Sequence, residues 1–308
     1  MEGFAARLER AKKTLVQTDF PTQVVVESTS ICNFDCPGCP SPTLHRSRGF
    51  IDMELFKKIV DEIAVEKPDT QLWFAFMGEA FLWKNLFELI RYAKARGLTD
   101  TRLNTNGSIM TEKKIRDIHD SGVDRIIVSI DGHSRETFDA IRPWKAGNYD
   151  TVRANTIKLL DRAKDEKWAH PEIWVQMVVQ DLNAHEESAF RSFWSAKGAV
   201  VKVRPMFSWG EKVEAKKLEQ AEIPRNFPCP WLMRQMVIAY DGTFLLCNAD
   251  SEAEYPLGNA NKISIKEAWN GRLKEIRDQH ISNDFSFPKC VTCPDWKVGM
   301  SEIQQPEN

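Results

Sequence analysis

"STSICNFDCPGCPSP", residues 28–42, holds Cys32, Cys36 and Cys39 in a C-x3-C-x2-C run. At this cysteine content, chance would fill both further offsets about once in two thousand trials, so the run reads as a site. In a reducing compartment clustered cysteines are more often metal ligands or catalytic groups than disulfides. The trio follows directly on "TQVVVEST" (22–29), a β-branched run that reads as a first strand. On a loop after that strand, three thiolates can hold three irons of a [4Fe–4S] cluster and leave the fourth open. A zinc site short of one ligand fits the same spacing.

Strand and helix patterns alternate downstream of the trio. "MELFKKIVDEIAVE" has helical periodicity, "QLWFAFMG" reads as a strand, and "NLFELIRYAKARG" as a helix closed by Gly97. "TRLNTNG", "RIIVSIDG", "EIWVQMVVQ" and "VVKVRP" supply four more strands, with helices between them, one of them capped by Thr111. About six βα units predict a parallel sheet with helices outside, either open or curled toward a barrel; a doubly wound sheet fits the same alternation. In a barrel, reactive groups collect on the loops at the C-terminal ends of the strands, where the trio stands.

The alternation ends near Phe207. The charged stretch "SWGEKVEAKKLEQAEIPRN" reads as a linker or solvated helix, and from Phe227 the texture changes. Asp241–Gly242 between apolar runs predicts a hairpin, and "SIKEAWNGRLKEIRDQ" a single helix. The remaining cysteines, Cys229, Cys247, Cys290 and Cys293, all lie here, the last two as C-x2-C. Four thiolates close an all-cysteine zinc site or fill every ligand position of a [4Fe–4S] cluster, and spacing does not separate the two. "SEIQQPEN" reads as a frayed tail.

The chain has 308 residues with 42% hydrophobic and 28% charged, enough for one large unit and a smaller one. A formal charge of −2 gives no broad electrostatic case for nucleic acid or an anionic membrane. The N-terminal stretch reads as an amphipathic helix, not a signal peptide, and no run approaches a membrane span, so the cytoplasm is the expected location.

C-x3-C-x2-C after a first strand resembles the signature of the radical S-adenosylmethionine (SAM) superfamily. The resemblance implies a partial (β/α)6 barrel and an open iron that chelates SAM, which is split reductively to a 5′-deoxyadenosyl radical. "FMGEAFL" resembles the family's G-G-E-P, with Met77 and Ala80 departing at its edges. It implies that Gly78 and Glu79 belong to the SAM site, Glu79 accepting from the SAM amino group. "VSIDG" implies Ser129 at the SAM ribose or carboxylate, "IRPWKAGNYDTV" implies Arg142 near the carboxylate, and Asn183 is a candidate for the adenosyl group. Gly38 stands where relatives have an aromatic residue, which leaves Phe34 to supply the stacking ring.

C…G-x4-C followed by C-x2-C resembles the SPASM extension found behind many such barrels. With four cysteines it resembles the shortened twitch form, with one auxiliary [4Fe–4S] cluster. The arrangement is similar to that of 2-deoxy-scyllo-inosamine dehydrogenases, which oxidise a secondary alcohol on a cyclitol. The implied organisation is an N-terminal helix (1–21), a barrel (22–207), a linker (208–226) and an auxiliary-cluster domain with tail (227–308). SAM and two [4Fe–4S] clusters are the implied cofactors, a flavodoxin or ferredoxin-type protein the reductant, and a hydroxylated small molecule the substrate. Arg204 is the candidate to hold that substrate or its developing oxyanion. His185 and Asp181 are weaker candidates for a base, Trp209 for a pocket floor, and Trp73, Trp174 and Trp194 for the core.

All seven cysteines are assigned to clusters, which favours oxidation or rearrangement over an epimerisation quenched by a spare thiol; a redox-neutral sugar epimerase or dehydratase is a further reading. Two further readings stay open. Peptide modification is disfavoured because only about twenty residues precede the first strand, too few for a leader-binding domain. A zinc-stabilised binding module leaves the open trio and Glu79 unexplained.

Overall fold

The computed structural model describes residue 9 and residues 12–143, 148–213 and 225–299. Most of the expected N-terminal helix, the middle of the expected linker and the tail fall outside these, and residues 15–18 carry no regular structure.

Six strands alternate with helices as the apolar periodicity predicts. They are β1 (Gln23–Val26), β2 (Gln71–Trp73), β3 (Thr101–Thr105), β4 (Arg125–Ser129), β5 (Glu172–Val179) and β6 (Val200–Pro205). The intervening helices are α1 (Met53–Glu66), α2 (Leu86–Ala95), α3 (Glu112–Asp120), α4 (Arg135–Ile141), α5 (Asn148–Asp165) and α6 (Glu187–Ala196). In α1, Asp52 caps the first turn by accepting from the amides of Glu54 and Leu55 at 2.9 and 3.1 Å. Its Leu55, Phe56, Ile59, Val60 and Ile63 recur at helical spacing and are all buried. Each such side chain contributes about 1.5–3 kcal/mol by leaving water. Thr111 caps α3 as expected, accepting from the Lys114 amide.

Pairing is parallel throughout β1 to β6, and the strand order β6-β5-β4-β3-β2-β1 is the sequential one of a barrel sheet rather than the rearranged one of a doubly wound fold. Beyond β1 the sheet continues. After the short helix α7 (Pro230–Arg234), β7 (Gln235–Ile238) pairs in parallel with β1, and β8 (Phe244–Leu245) returns antiparallel across the expected hairpin. Gly242 at φ +88° makes that turn. Among the described residues the sheet has β6 and β8 as its edges and does not close.

One expected helix is two. The 264–279 stretch breaks at Gly271, whose ψ of −131° separates α8 (Ile265–Asn270) from α9 (Arg272–Ile281). Glycine is the residue that tolerates such a break, and the continuous periodicity on either side concealed it. Short α10 (Pro288–Val291) then carries Cys290.

Strand alternation positions the site. Val24, Val26, Leu72, Leu103, Ile126, Val128 and Val175 face the helices and are fully buried. Their neighbours Gln23, Trp73, Asn104, Ser129, Gln176 and Arg204 face the other way, into one cavity. Trp73, expected in the core, therefore lines that cavity; Trp174 is half-buried, and only Trp194 of the three is a core side chain. Among the described residues no helix is long and apolar enough to cross a membrane.

Candidate active site

The loop after β1 brings Cys32, Cys36 and Cys39 to the mouth of a cavity of about 290 Å³. The Cys39 amide donates to the Cys36 carbonyl at 3.0 Å, and the Ser41 amide points at the Cys39 sulfur at 3.4 Å. Burial pushes the Cys32 thiol up to about 11, the Cys39 thiol up to about 12, and the Cys36 thiol up as well. Thiols buried this way shed their protons readily only to a bound metal, which supplies the missing positive charge.

Gly78 and Glu79 stand beside the trio for backbone reasons. A Cβ on Gly78 would lie 2.3 Å from the Thr29 carbonyl and 2.7 Å from that of Ile31, so this loop packs against the thiol loop only through glycine. The Glu79 amide in turn donates to the Ile31 carbonyl at 2.9 Å. The Glu79 side chain is 3% exposed and takes hydrogen bonds from Thr105 Oγ1, the Phe81 amide and the Asn106 amide at 2.8, 3.1 and 2.7 Å. Burial raises its pKa, with those donors pulling the other way. Asn106 also donates to Asn33 Oδ1 at 2.9 Å, and Asn33 to Ser108 Oγ at 2.9 Å, so the end of β3 is laced to the thiol loop.

Ser129, Phe34, Arg142 and Arg204 line the same cavity. The guanidinium of Arg142 is held by Asp131, its Nε donating to Oδ2 at 2.8 Å, and the neighbouring Asp131 and thiols push its pKa up against the opposing effect of burial. The signal for Asp131 in "VSIDG" is a weak one, an acid before glycine at a strand end being a turn-forming pattern; its φ of +59° and 3% exposure mark the tight turn.

Asn183 is a correction. It is fully buried and absent from the cavity wall. Its amide donates to the carbonyls of Asp131 and Val178 at 2.8 and 2.9 Å, and its oxygen accepts from the Gln180 amide at 2.8 Å. Both amide N–H groups are spent joining the ends of β4 and β5 and the side chain has no exposed surface, so it positions Asp131 and lies out of a cavity ligand's reach. Asp181 and His185 are exposed and also off the wall, which removes both as bases.

The four late cysteines come together in the C-terminal region. Cys247 feels Cys229, Cys290 and Cys293 electrostatically, and burial drives all four thiols up, Cys290 and Cys293 to about 12. Among the described residues no three His, Cys, Asp or Glu side chains converge as ligands of one ion do. Four neighbouring thiols supply the one thiolate per iron that a [4Fe–4S] cluster takes. Sequence reading missed two supports: Arg225 Nη1 donates to the Cys290 carbonyl at 2.7 Å, and the Cys229 amide donates to His280 Nδ1 at 3.3 Å.

Trp231 and Asn248, each close in sequence to one of these cysteines, line the cavity. Trp231 packs edge-on to Phe207 at 4.8 Å, Phe207 against Trp209 at 4.6 Å, and Trp209 Nε1 reaches the Gly38 carbonyl at 3.3 Å. One cavity is thus lined by the thiol trio and by two sequence neighbours of the late cysteines. Trp209 lines it, as expected.

Residues 26–191 match the radical SAM superfamily. The chain belongs to that superfamily. Residues 229–294 match the SPASM iron-sulfur cluster-binding domain. SAM and iron–sulfur clusters are accordingly the cofactors of this radical SAM/SPASM enzyme. The chain is 28% identical over 310 residues to the tungsten-containing aldehyde ferredoxin oxidoreductase cofactor-modifying protein of Pyrococcus furiosus, covering 87% of this chain and 86% of the relative. It is 26% identical over 132 residues to the S-adenosyl-L-methionine-dependent 2-deoxy-scyllo-inosamine dehydrogenase of Niallia circulans, covering 41% of this chain and 51% of that one. A PqqA peptide cyclase of Bradyrhizobium diazoefficiens is 29% identical over 180 residues, 58% of this chain and 44% of that one. In fold, the chain resembles BtrN in complex with AdoMet and 2-DOIA, with a TM-score of 0.64 at 18% identity over 92% of this chain and 96% of BtrN.

Proposed function

We propose that this radical SAM enzyme is an oxidoreductase that converts a secondary alcohol of a hydroxylated small molecule, such as a sugar or aminocyclitol, to a ketone. The observation that carries the reading is the single cavity bordered by the thiol trio on one side and by Trp231 and Asn248 of the late cysteine region on the other. When bound, SAM with the first cluster supplies a hydrogen-abstracting radical, and the auxiliary cluster is the acceptor for the electron left on the substrate.

In this reading Cys32, Cys36 and Cys39 hold one cluster and Cys229, Cys247, Cys290 and Cys293 the other. Glu79 orients the SAM amino group with the lone pair left on Oε2, which takes only the Asn106 amide within the protein. Gly78 lets that loop approach, Arg142 and Ser129 face the SAM carboxylate or ribose, and Phe34 bears on the adenine. Arg204 holds the substrate from the cavity wall, and the hydroxyl proton departs to water. A flavodoxin or ferredoxin-type donor supplies the starting electron. The partial likeness to 2-deoxy-scyllo-inosamine dehydrogenase supports alcohol oxidation, and that to PqqA peptide cyclase supports a peptide substrate as the second reading.

The test is anaerobic turnover with alcohols deuterated at the carbinol carbon. The expected result is one deuterated 5′-deoxyadenosine per ketone formed. A redox-neutral product, or deuterium transfer from a peptide alone, overturns the proposal.

A further inference from the structure

We infer that the inward face of the barrel, beside the thiol trio, is a subsite for a hydroxylated ligand that carries an anionic group. The inference rests on the alcohol-oxidation reading and names its substrate class.

The charges bordering the cavity do not cancel. Arg142 is matched by Asp131, and Glu79 by three donors. Arg204 also lines the cavity, and among the described residues no carboxylate pairs with it. Arg204 is therefore a cation on the cavity wall without a carboxylate partner among the described residues.

Three buried polar atoms on the same wall have no partner among the described residues: Gln235 Oε1, Asn104 Oδ1 and Trp73 Nε1. Gln235 is only 7% exposed. Buried polar groups are paired in native proteins, so these are pairing positions for a ligand. The two amide oxygens call for donors and the indole for an acceptor; ligand hydroxyls are both. A cation flanked by hydroxyl-pairing groups matches the chemistry of a polyol acid. A positively charged aminocyclitol would face Arg204 without compensation.

Binding to the reconstituted, SAM-loaded enzyme tests this with three hexose probes of graded charge: D-glucuronate, methyl α-D-glucoside and D-glucosamine. Glucuronate is expected to bind tightest, by about tenfold to a hundredfold, the range of a hydrogen bond to a charged group. Arg204→Gln is expected to abolish that preference, whereas Gln235→Leu weakens glucuronate and glucoside together. Equal binding of the three probes, binding of none, or a preference that survives Arg204→Gln overturns the inference. So does an Arg204→Gln variant that loses SAM affinity instead, because the guanidinium then serves SAM. Ketone formation is assayed separately. A neutral alcohol that is oxidised while glucuronate does not bind sinks the charge assignment and leaves the oxidation reading intact.

Discussion

The Asn106 amide donates to Glu79 Oε2 at 2.7 Å, so the end of β3 fixes the carboxylate presented from the end of β2. Glu79 Oε1 is already committed twice, to Thr105 and Phe81, which leaves Oε2 as the oxygen with spare capacity. The site's acceptor is thus oriented before any ligand arrives.

Glu79→Gln is expected to weaken SAM binding by at least about tenfold, since a charge-assisted hydrogen bond is lost. It also turns an amide NH2 toward a buried N–H donor, at a stability cost of about 1–3 kcal/mol. Equilibrium dialysis with SAM and urea unfolding check the two effects separately. Unchanged SAM affinity would remove Glu79 from the site.

Iron analysis separates the two thiol groups. Reconstituted wild type is expected to hold about eight irons per chain, and a Cys32/Cys36/Cys39→Ala variant about four. Gly78→Ala is expected to resemble that triple variant, because its methyl would press on the Thr29 and Ile31 carbonyls that carry the thiol loop. Full iron in Gly78→Ala would show that the loop yields without consequence.

Arg142→Met leaves Asp131, which is 3% exposed, with no counter-charge and should cost about 3–5 kcal/mol in urea unfolding. Adding Asp131→Asn should restore a large part of that, since the remaining amide can still accept the Val178 amide. Additive losses would deny the coupling.

Glu186 joins the loops after β4 and β5 by accepting from the amides of His133 and Ser134 and from Thr137 Oγ1. Burial raises its pKa, but the hydrogen bonds of Ser134, His133 and Thr137 outweigh burial and hold it below the ordinary glutamate value. A carboxyl lowered in the folded state stabilises fully above its unfolded pKa and loses that contribution as pH falls through the folded one. Wild type should therefore lose stability below about pH 4.5 more steeply than Glu186→Gln does. Parallel acid limbs in the two thermal profiles would contradict the assignment.

Much of this enzyme is legible along the chain. Cysteine spacing marks both cluster regions, because metal ligands on one loop stand at fixed short offsets whatever surrounds them. Apolar periodicity marks the six βα units, because a strand or helix buries one face by a local rule. Tertiary structure alone decided what depends on neighbours distant in sequence. Asn183 sits at a promising strand end, yet Asp131 and Val178 consume its amide. Trp73 reads as core, yet it faces the cavity because its partner positions on β1 and β3 place it inward. The pairing of β7 with β1 brings Gln235 to the cavity wall from more than 200 positions away. Sequence records which groups a segment offers. Only packing decides which of those groups are already satisfied and which still face a ligand.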